Sequence, residues 1–292
     1  MDVDRSDPSR RRLLQGATAA GAGVLAGQAH AADLDWDLPP LRSVTVNGHR
    51  LSYYELGKGP PLLLAHGMSG SAAFEWGRVI GPLSRRYRVV APYQVGFSPS
   101  DQPDLPYDAA TFVDHLGGMI EALGMERPVI AGESFGGWVV TQYALRQGGR
   151  TAWGSPLPPI SRLVIVDGAV RVRPRPPTSP PAKEPPSIND PSIGARAFAR
   201  FSREFAADNS LAKGRVMNGV IVREAVGPEA LKRLRVPALL VWGDADQLIP
   251  LEDGRSFAAE IPGARLEVIG NCGHIPPVEQ PAAFIRAIEG FA

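Results

Sequence analysis

The sequence predicts an α/β protein, a mostly parallel sheet of eight strands with helices on both faces. Two observations carry that prediction. From Ser43 to the C-terminus, short β-branched or apolar runs alternate with amphipathic stretches of helical length, the βαβ pattern of a parallel sheet covered on both sides. The composition is also that of a folded chain: 292 residues, 44% hydrophobic and 21% charged, enough to bury a sizeable core and too apolar for wholesale disorder. Charges nearly balance, with 31 Lys+Arg against 30 Asp+Glu and a net charge of +1. That balance offers no electrostatic grip on nucleic acid or an anionic membrane.

The chain opens with an address rather than with fold. Ser9-Arg10-Arg11-Arg12-Leu13-Leu14-Gln15 matches the twin-arginine pattern, a mild Ala/Gly-rich stretch runs from Gly16 to Gly27, and Ala29-His30-Ala31 supplies an A-x-A cleavage site. The apolar stretch is too short and too weak to be a permanent membrane anchor. Residues 1–31 are therefore expected to act as a twin-arginine signal peptide, delivering a folded protein to the periplasm or the medium. Residues 32–42 form a linker.

The strands follow in order. Ser43–Val46 and Leu51–Glu55 flank Asn47-Gly48, the strongest short hairpin signal, and should add antiparallel strands at one edge. Pro61–Ala65, Tyr87–Ala91, Pro128–Ala131, Leu163–Asp167, Ala238–Trp242 and Arg265–Ile269 are short apolar strands. Ala109–Leu123, Phe135–Arg146 and Pro281–Phe291 are amphipathic helices between or after them. One interval breaks the rhythm. Proline is abundant overall, 29 residues, about twice the usual share, and eight of these lie between Pro174 and Pro191. Proline lacks the amide donor and locks φ, so this stretch is neither helix nor central strand. Helical pattern resumes from Ile193 to Leu234, with Ala195, Phe198, Phe201, Phe205, Leu211, Val216, Val220 and Ile221 as its apolar positions. The expected organisation is a core of residues 43–170 and 235–292, with a small, mainly helical cap of residues 171–234 inserted after the sixth strand.

Chemistry concentrates at strand ends. Gly132-Glu133-Ser134-Phe135-Gly136-Gly137 joins an apolar strand to a long helix, the context in which G-x-S-x-G is a nucleophile elbow. The sharp turn exposes the Ser134 hydroxyl, and the helix N-terminus supplies amides where an oxyanion would form. A serine hydroxyl needs a base. Of the five histidines, His30 belongs to the signal, His49 to the hairpin, His66 to the turn after the third strand and His115 to a helix. His274 follows the last strand at the same carboxyl edge as Ser134, and it is the expected general base. Its carboxylate partner is taken as Asp246, in Trp242-Gly243-Asp244-Ala245-Asp246, with Asp244 and Asp167 as the other candidates. The oxyanion donors are expected to be the backbone amides of Phe135 and Met68, with His66 a hydrogen-bonded structural residue. The single Cys272 can form no intramolecular disulfide and no Cys-based zinc set. It reads as a small buried hydrophobe. No metal or cofactor is called for.

From Ser43 onward the chain resembles the α/β-hydrolase fold superfamily. The motifs that carry the resemblance are HGMSG, VGFSPSD, GESFGG, WGDADQLIP and CGHIPPVEQP, and the order Ser134…Asp246…His274 is that superfamily's. Three positions depart from it. Tyr93 replaces the acid, and Ser98 the second glycine, of the usual D-x-x-G-x-G-x-S loop, and Glu133 stands where relatives more often carry His, Asn or Gly. The resemblance implies a serine hydrolase. A serine nucleophile excludes haloalkane and epoxide hydrolysis, which need a cleavable aspartyl ester. Acyl transfer remains, with cleavage of a small apolar carboxylic ester or lactone as the leading expectation. Carbon–carbon bond hydrolysis of meta-cleavage-type diketo acids and cofactor-free perhydrolysis use the same triad and are the alternatives. A catalytically dead binding module on this fold would need a broken triad, and no member is missing.

Overall fold

The computed structural model describes residues 35–171 and 188–292. The expected signal peptide of residues 1–31 and the proline-rich residues 172–187 of the expected cap lie outside the described residues.

Eight strands form one sheet: β1 (Arg42–Val46), β2 (His49–Leu56), β3 (Pro61–Ala65), β4 (Arg88–Pro92), β5 (Val129–Glu133), β6 (Arg162–Val166), β7 (Ala238–Gly243) and β8 (Arg265–Ile269). Their order is β1-β2-β4-β3-β5-β6-β7-β8. The first hairpin pairs antiparallel, β2 pairs antiparallel with β4, and every later pairing is parallel. The predicted eight-stranded, mostly parallel sheet is therefore the observed one. The Asn47-Gly48 turn has φ of 48° and 81°, the left-handed pair that a two-residue hairpin requires.

Helices cover both faces. On one side α1 (Ala72–Leu83), α9 (Pro276–Glu279) and α10 (Pro281–Glu289) enclose Leu62, Leu64, Val89 and Val241. On the other, α2 (Ala109–Ala122), α3 (Phe135–Arg146) and α8 (Leu251–Glu260) enclose Leu63, Val90, Ile130 and Leu240. Adjacent strand residues thus point to opposite cores, which is why the central strands read as continuous apolar runs.

Between β6 and β7 the described chain is helical but broken into pieces: α4 (Pro191–Phe205), α5 (Ser210–Arg215), a π-type turn (Val216–Val220), α6 (Ile221–Arg223) and α7 (Pro228–Leu231). Gly219 at φ 103° interrupts the run. The buried stripe of α4 is Ile193, Ala197 and Phe201 rather than the full predicted set. Ala195 is exposed and Phe198 is 66% exposed, because both fall outside the side of the helix that Ile193, Ala197 and Phe201 share at i, i+4 and i+8. Polar bonds tie these pieces to the core. Ser71 and Tyr93 hydroxyls both donate to Glu204 on α4. The Ala109 amide donates to the Glu224 carboxylate, and Trp138 and Gln142 donate to the Glu224 carbonyl. Tyr93, the departure from the usual loop motif, thus has a partner on the inserted helices.

Candidate active site

Three strand ends build the site. β5 runs into Ser134, whose φ of 50° and ψ of −114° place it in a strained conformation, and α3 starts at the next residue. The turn is drawn tight. A Cβ on Gly132 would lie 2.1 Å from the Gly136 carbonyl oxygen, and one on Gly136 would lie 2.2 Å from that of Ala65. Ser134 is pinned from both sides, its amide donating to Val166 and its carbonyl accepting from Gly137 and Ala169.

The turn after β8 presents His274, and the turn after β7 presents Asp246. His274 Nε2 is 2.9 Å from Ser134 Oγ, and His274 Nδ1 is 2.7 Å from Asp246 Oδ2. Asp246 Oδ1 accepts from the Leu248 and Ile249 amides, so the whole carboxylate is partnered. The imidazole is 5% exposed and Asp246 7%. Nδ1–H donating to a carboxylate leaves Nε2 as the acceptor for the serine proton.

The other two aspartates of the sequence reading are placed differently. Asp244 accepts from the Cys272 amide and braces the turn that carries His274. Asp167 is fully buried behind the triad row. Its Oδ1 accepts from Gly243, and its Oδ2 has no hydrogen-bond partner among the described residues. Burial, then the nearby Asp246 charge, pushes the Asp167 carboxyl well above the usual carboxylate range. Asp167, Asp246 and His274 bring ligand-type atoms within 4.8 Å of one another. A cation there would compete for the very atoms that make the Asp246–His274 bond.

Around Ser134 the turn amides are mostly committed. Gly67 donates to Glu75, Gly70 to Gly67, and Gly137 and Trp138 to Ser134. Among the described residues the Met68 and Phe135 amides have no acceptor, and Phe135 opens α3, where the helix dipole favours an anion. His66 is wholly buried, with Nδ1–H donating to the Gly67 carbonyl and Nε2 accepting from the Gln94 amide. Burial lowers its pKa to about 4, so it stays neutral. Cys272 is buried, and burial pushes its thiol up. His49 and His115 stack on each other at the hairpin, away from this edge.

A cavity of about 600 Å³ opens over Ser134 and His274. Met68, Phe74, Phe198, Phe205, Leu248 and Ile275 supply an apolar wall, and Glu75 and Glu133 are its acids. A family model described as the alpha/beta hydrolase family matches residues 62–287. This chain belongs to that family. The hydrolase is 29% identical over 283 residues to the 2-hydroxymuconate semialdehyde hydrolase of Pseudomonas sp. (strain CF600), covering 86% of this chain and 93% of that one. Among solved structures, a mutant of the meta-cleavage product hydrolase CumD from Pseudomonas fluorescens IP01, complexed with acetates, superposes with a TM-score of 0.72 at 28% identity. The match covers 86% of this chain and 96% of that one. The enol-lactonase from Burkholderia xenovorans LB400 shares the fold, with a TM-score of 0.64 at 22% identity over 86% of this chain and 99% of that one.

Sequence reasoning missed two carboxyls that shape the hydrolase site. Glu279, at the end of α9, accepts from the Gly273, Ile275 and Asn189 amides, holding the loop on both sides of His274. Glu75, on the first turn of α1, accepts from the Gly67 amide and the Ser69 hydroxyl. It also lies within hydrogen-bonding reach of Glu133. Two buried carboxylates this close cannot both be charged. Glu75 already has two donors, which suits an anion, so the Glu133 carboxyl is the one that keeps its proton. Burial and then the Glu75 charge raise the Glu133 pKa well above the usual range. The available signal in the sequence was Glu133 itself, an acid where this family's pattern offers a neutral residue.

Proposed function

We propose that this alpha/beta hydrolase cleaves a small, largely apolar carboxylic ester or lactone through a Ser134 acyl-enzyme. The observation that carries the proposal is the continuous Ser134–His274–Asp246 hydrogen-bonded row at the floor of an apolar cavity. In this reading Ser134 Oγ attacks the carbonyl carbon while His274 Nε2 takes its proton. Asp246 stabilises the imidazolium, and the Met68 and Phe135 amides receive the oxyanion. His274 then protonates the leaving alkoxide, and water repeats the attack. The inserted helices act as a cap, since Gly194, Ala197, Phe198 and Phe205 of α4 line the cavity. The chain is exported by the twin-arginine machinery and works in the periplasm or the medium, as residues 9–15 and 29–31 suggest. No described helix is long and apolar enough to cross a membrane.

Carbon–carbon hydrolysis of a diketo acid is the second reading, favoured by the likeness to the Pseudomonas 2-hydroxymuconate semialdehyde hydrolase. The cavity's charge argues for the ester. Its described lining holds no Lys or Arg, so a substrate bearing carboxylates would meet the Glu75 charge and, among the described lining residues, no cation to hold it. Ser134→Ala should abolish hydrolysis of p-nitrophenyl esters without unfolding the protein. A panel of esters, lactones and vinylogous diketo acids separates the readings. Turnover of the diketo acids with no esterase activity would overturn the first, and esterase activity surviving in Ser134→Ala would overturn both.

A further inference from the structure

We propose that Glu133 positions the water that hydrolyses the Ser134 acyl-enzyme, its Oε1 acting as a second acceptor beside His274 Nε2. The inference rests on the acyl-enzyme reading above. Its starting point is an atom: Glu133 Oε1 is buried, has no hydrogen-bond partner among the described residues, and lies 3.5 Å from His274 Nε2. The residue lines the cavity that opens over Ser134. The second oxygen, Oε2, sits on the other side, against Gly67, where a Cβ would come within 2.2 Å of it. Gly67 is also the residue whose amide donates to Glu75, so Oε2 is the oxygen turned toward Glu75. With the proton on Oε2 and donated to the Glu75 carboxylate, Oε1 is a carbonyl-type oxygen with only acceptor capacity.

That capacity matches the needs of water. A water about 2.8 Å from both Nε2 and Oε1, which are 3.5 Å apart, would see them at an angle of about 77°, some 27° below its own H–O–H angle. Each hydrogen bond would then bend by about 14°, well inside the tolerated range. Once Ser134 is acylated it no longer donates to Nε2, and this water can give one proton to each acceptor. Fixing both O–H bonds leaves a lone pair free for the acyl carbon, which is the orientational part of the barrier. The water oxygen bonds to the acyl carbon as its proton passes to Nε2. The C–Oγ bond then breaks, and the Nε2 proton returns to Ser134 Oγ, releasing the carboxylic acid and the free enzyme. Glu133 exchanges no proton in this step and is a positioning residue.

The isosteric pair Glu133→Gln and Glu133→Met tests this. Gln keeps a carbonyl oxygen at Oε1 and an N–H for Glu75, whereas Met keeps the volume and loses both. With a p-nitrophenyl ester, Met should slow deacylation about 10–100-fold. It should show a p-nitrophenol burst near one per active site, with the acyl adduct visible by intact mass. Gln should rescue deacylation to within about threefold of wild type. Methanol has one O–H and spends it on Nε2, so only water benefits from Glu133. The ratio of methanolysis to hydrolysis should therefore rise about tenfold in Met and stay unchanged in Gln, a change that looser packing would not produce. An unchanged partition ratio in Met, or acyl-enzyme accumulating in Gln, overturns the inference; the Gln arm decides it alone if Met fails to fold. If Ser134 takes neither an acyl group nor a fluorophosphonate in wild type, the acyl-enzyme reading itself falls.

Discussion

Replacing Asp246 by Asn should be worse for turnover than replacing it by Ala, and the reason lies in which atoms surround His274. Asn keeps an oxygen for the Leu248 and Ile249 amides that Asp246 Oδ1 now serves. Its amide nitrogen then faces His274 Nδ1, where the carboxylate oxygen lies at 2.7 Å. An N–H donor there moves the ring proton to Nε2, and Nε2 can no longer accept from Ser134. The expected loss in kcat is on the order of 10⁴, or about 5.4 kcal/mol of transition-state stabilisation. Ala imposes no tautomer and uncovers Asp167, whose Oδ2 is unpartnered among the described residues and lies in the same 4.8 Å cluster. Asp246's charge is the second cause of the raised Asp167 pKa, after burial. Its removal therefore makes Asp167 easier to ionise beside the imidazolium. Ala alone should then cost about 10²–10³ in kcat, and adding Asp167→Asn should bring the loss to the order of 10⁴. The assay is ester hydrolysis per active site, with sites counted by fluorophosphonate labelling, and denaturant unfolding to show that the variants are folded. Equal losses for Asn and Ala, or no added effect of Asp167→Asn on the Ala variant, would refute the reasoning.

Three other substitutions follow from the packing of the site. Glu279→Ala strips the acceptor from three amides around His274. With about 1–3 kcal/mol for each buried group left unpaired and part of it recovered by water, a net loss of about 3 kcal/mol should appear in urea unfolding, with kcat lowered more than KM is raised. Phe198→Ser removes an exposed cavity-wall aromatic, so stability should stay within about 0.5 kcal/mol. KM for a longer-chain apolar ester should rise about tenfold, which is the worth of one lost apolar contact. The His66 pKa is depressed from 6.5 to about 4, so the unfolded chain binds the proton first as pH falls. Stability from neutral His66 is complete above pH 6.5 and is lost between 6.5 and about 4, on the order of 3 kcal/mol in all. Glu75, raised to about 7 by burial, has the opposite slope between 4.5 and 7. The comparison that isolates His66 is therefore the difference between wild type and His66→Gln, measured by unfolding at pH 7 and at pH 5. That difference should shrink by most of the His66 contribution at the lower pH, and a constant difference would contradict it.

Much of this molecule was legible before any coordinates. The eight strands were readable because buried parallel strands leave continuous apolar runs, and the Asn47-Gly48 turn because only left-handed backbone closes it. The elbow was readable for the same local reason: strand, tight glycine turn and helix follow one another without a gap from Val129 to Arg146. The placement of α4's aromatics was not. Helical spacing groups Phe198 with Phe201 and Phe205, but which side of that stripe meets the core depends on how the helix leans, and Phe198 faces the cavity instead.

The sequence by itself determined what local rules decide: the α/β class, the elbow at Ser134 and the position of His274 at the same sheet edge. The sequence also named Asp246 as the acid for the imidazole, with Asp244 and Asp167 left as candidates, and the tertiary structure is what puts Asp246 there at 2.7 Å. Asp167, Asp244 and Asp246 all end strands at one edge, and the choice rests on turn geometry a few ångströms in extent. Tertiary structure also decided that Glu75, 58 positions before Glu133 in the chain, shares its buried space and so leaves Glu133 neutral. Charge in a protein interior is set by what stands nearby, and neighbours that distant in sequence exist only once the sheet has folded.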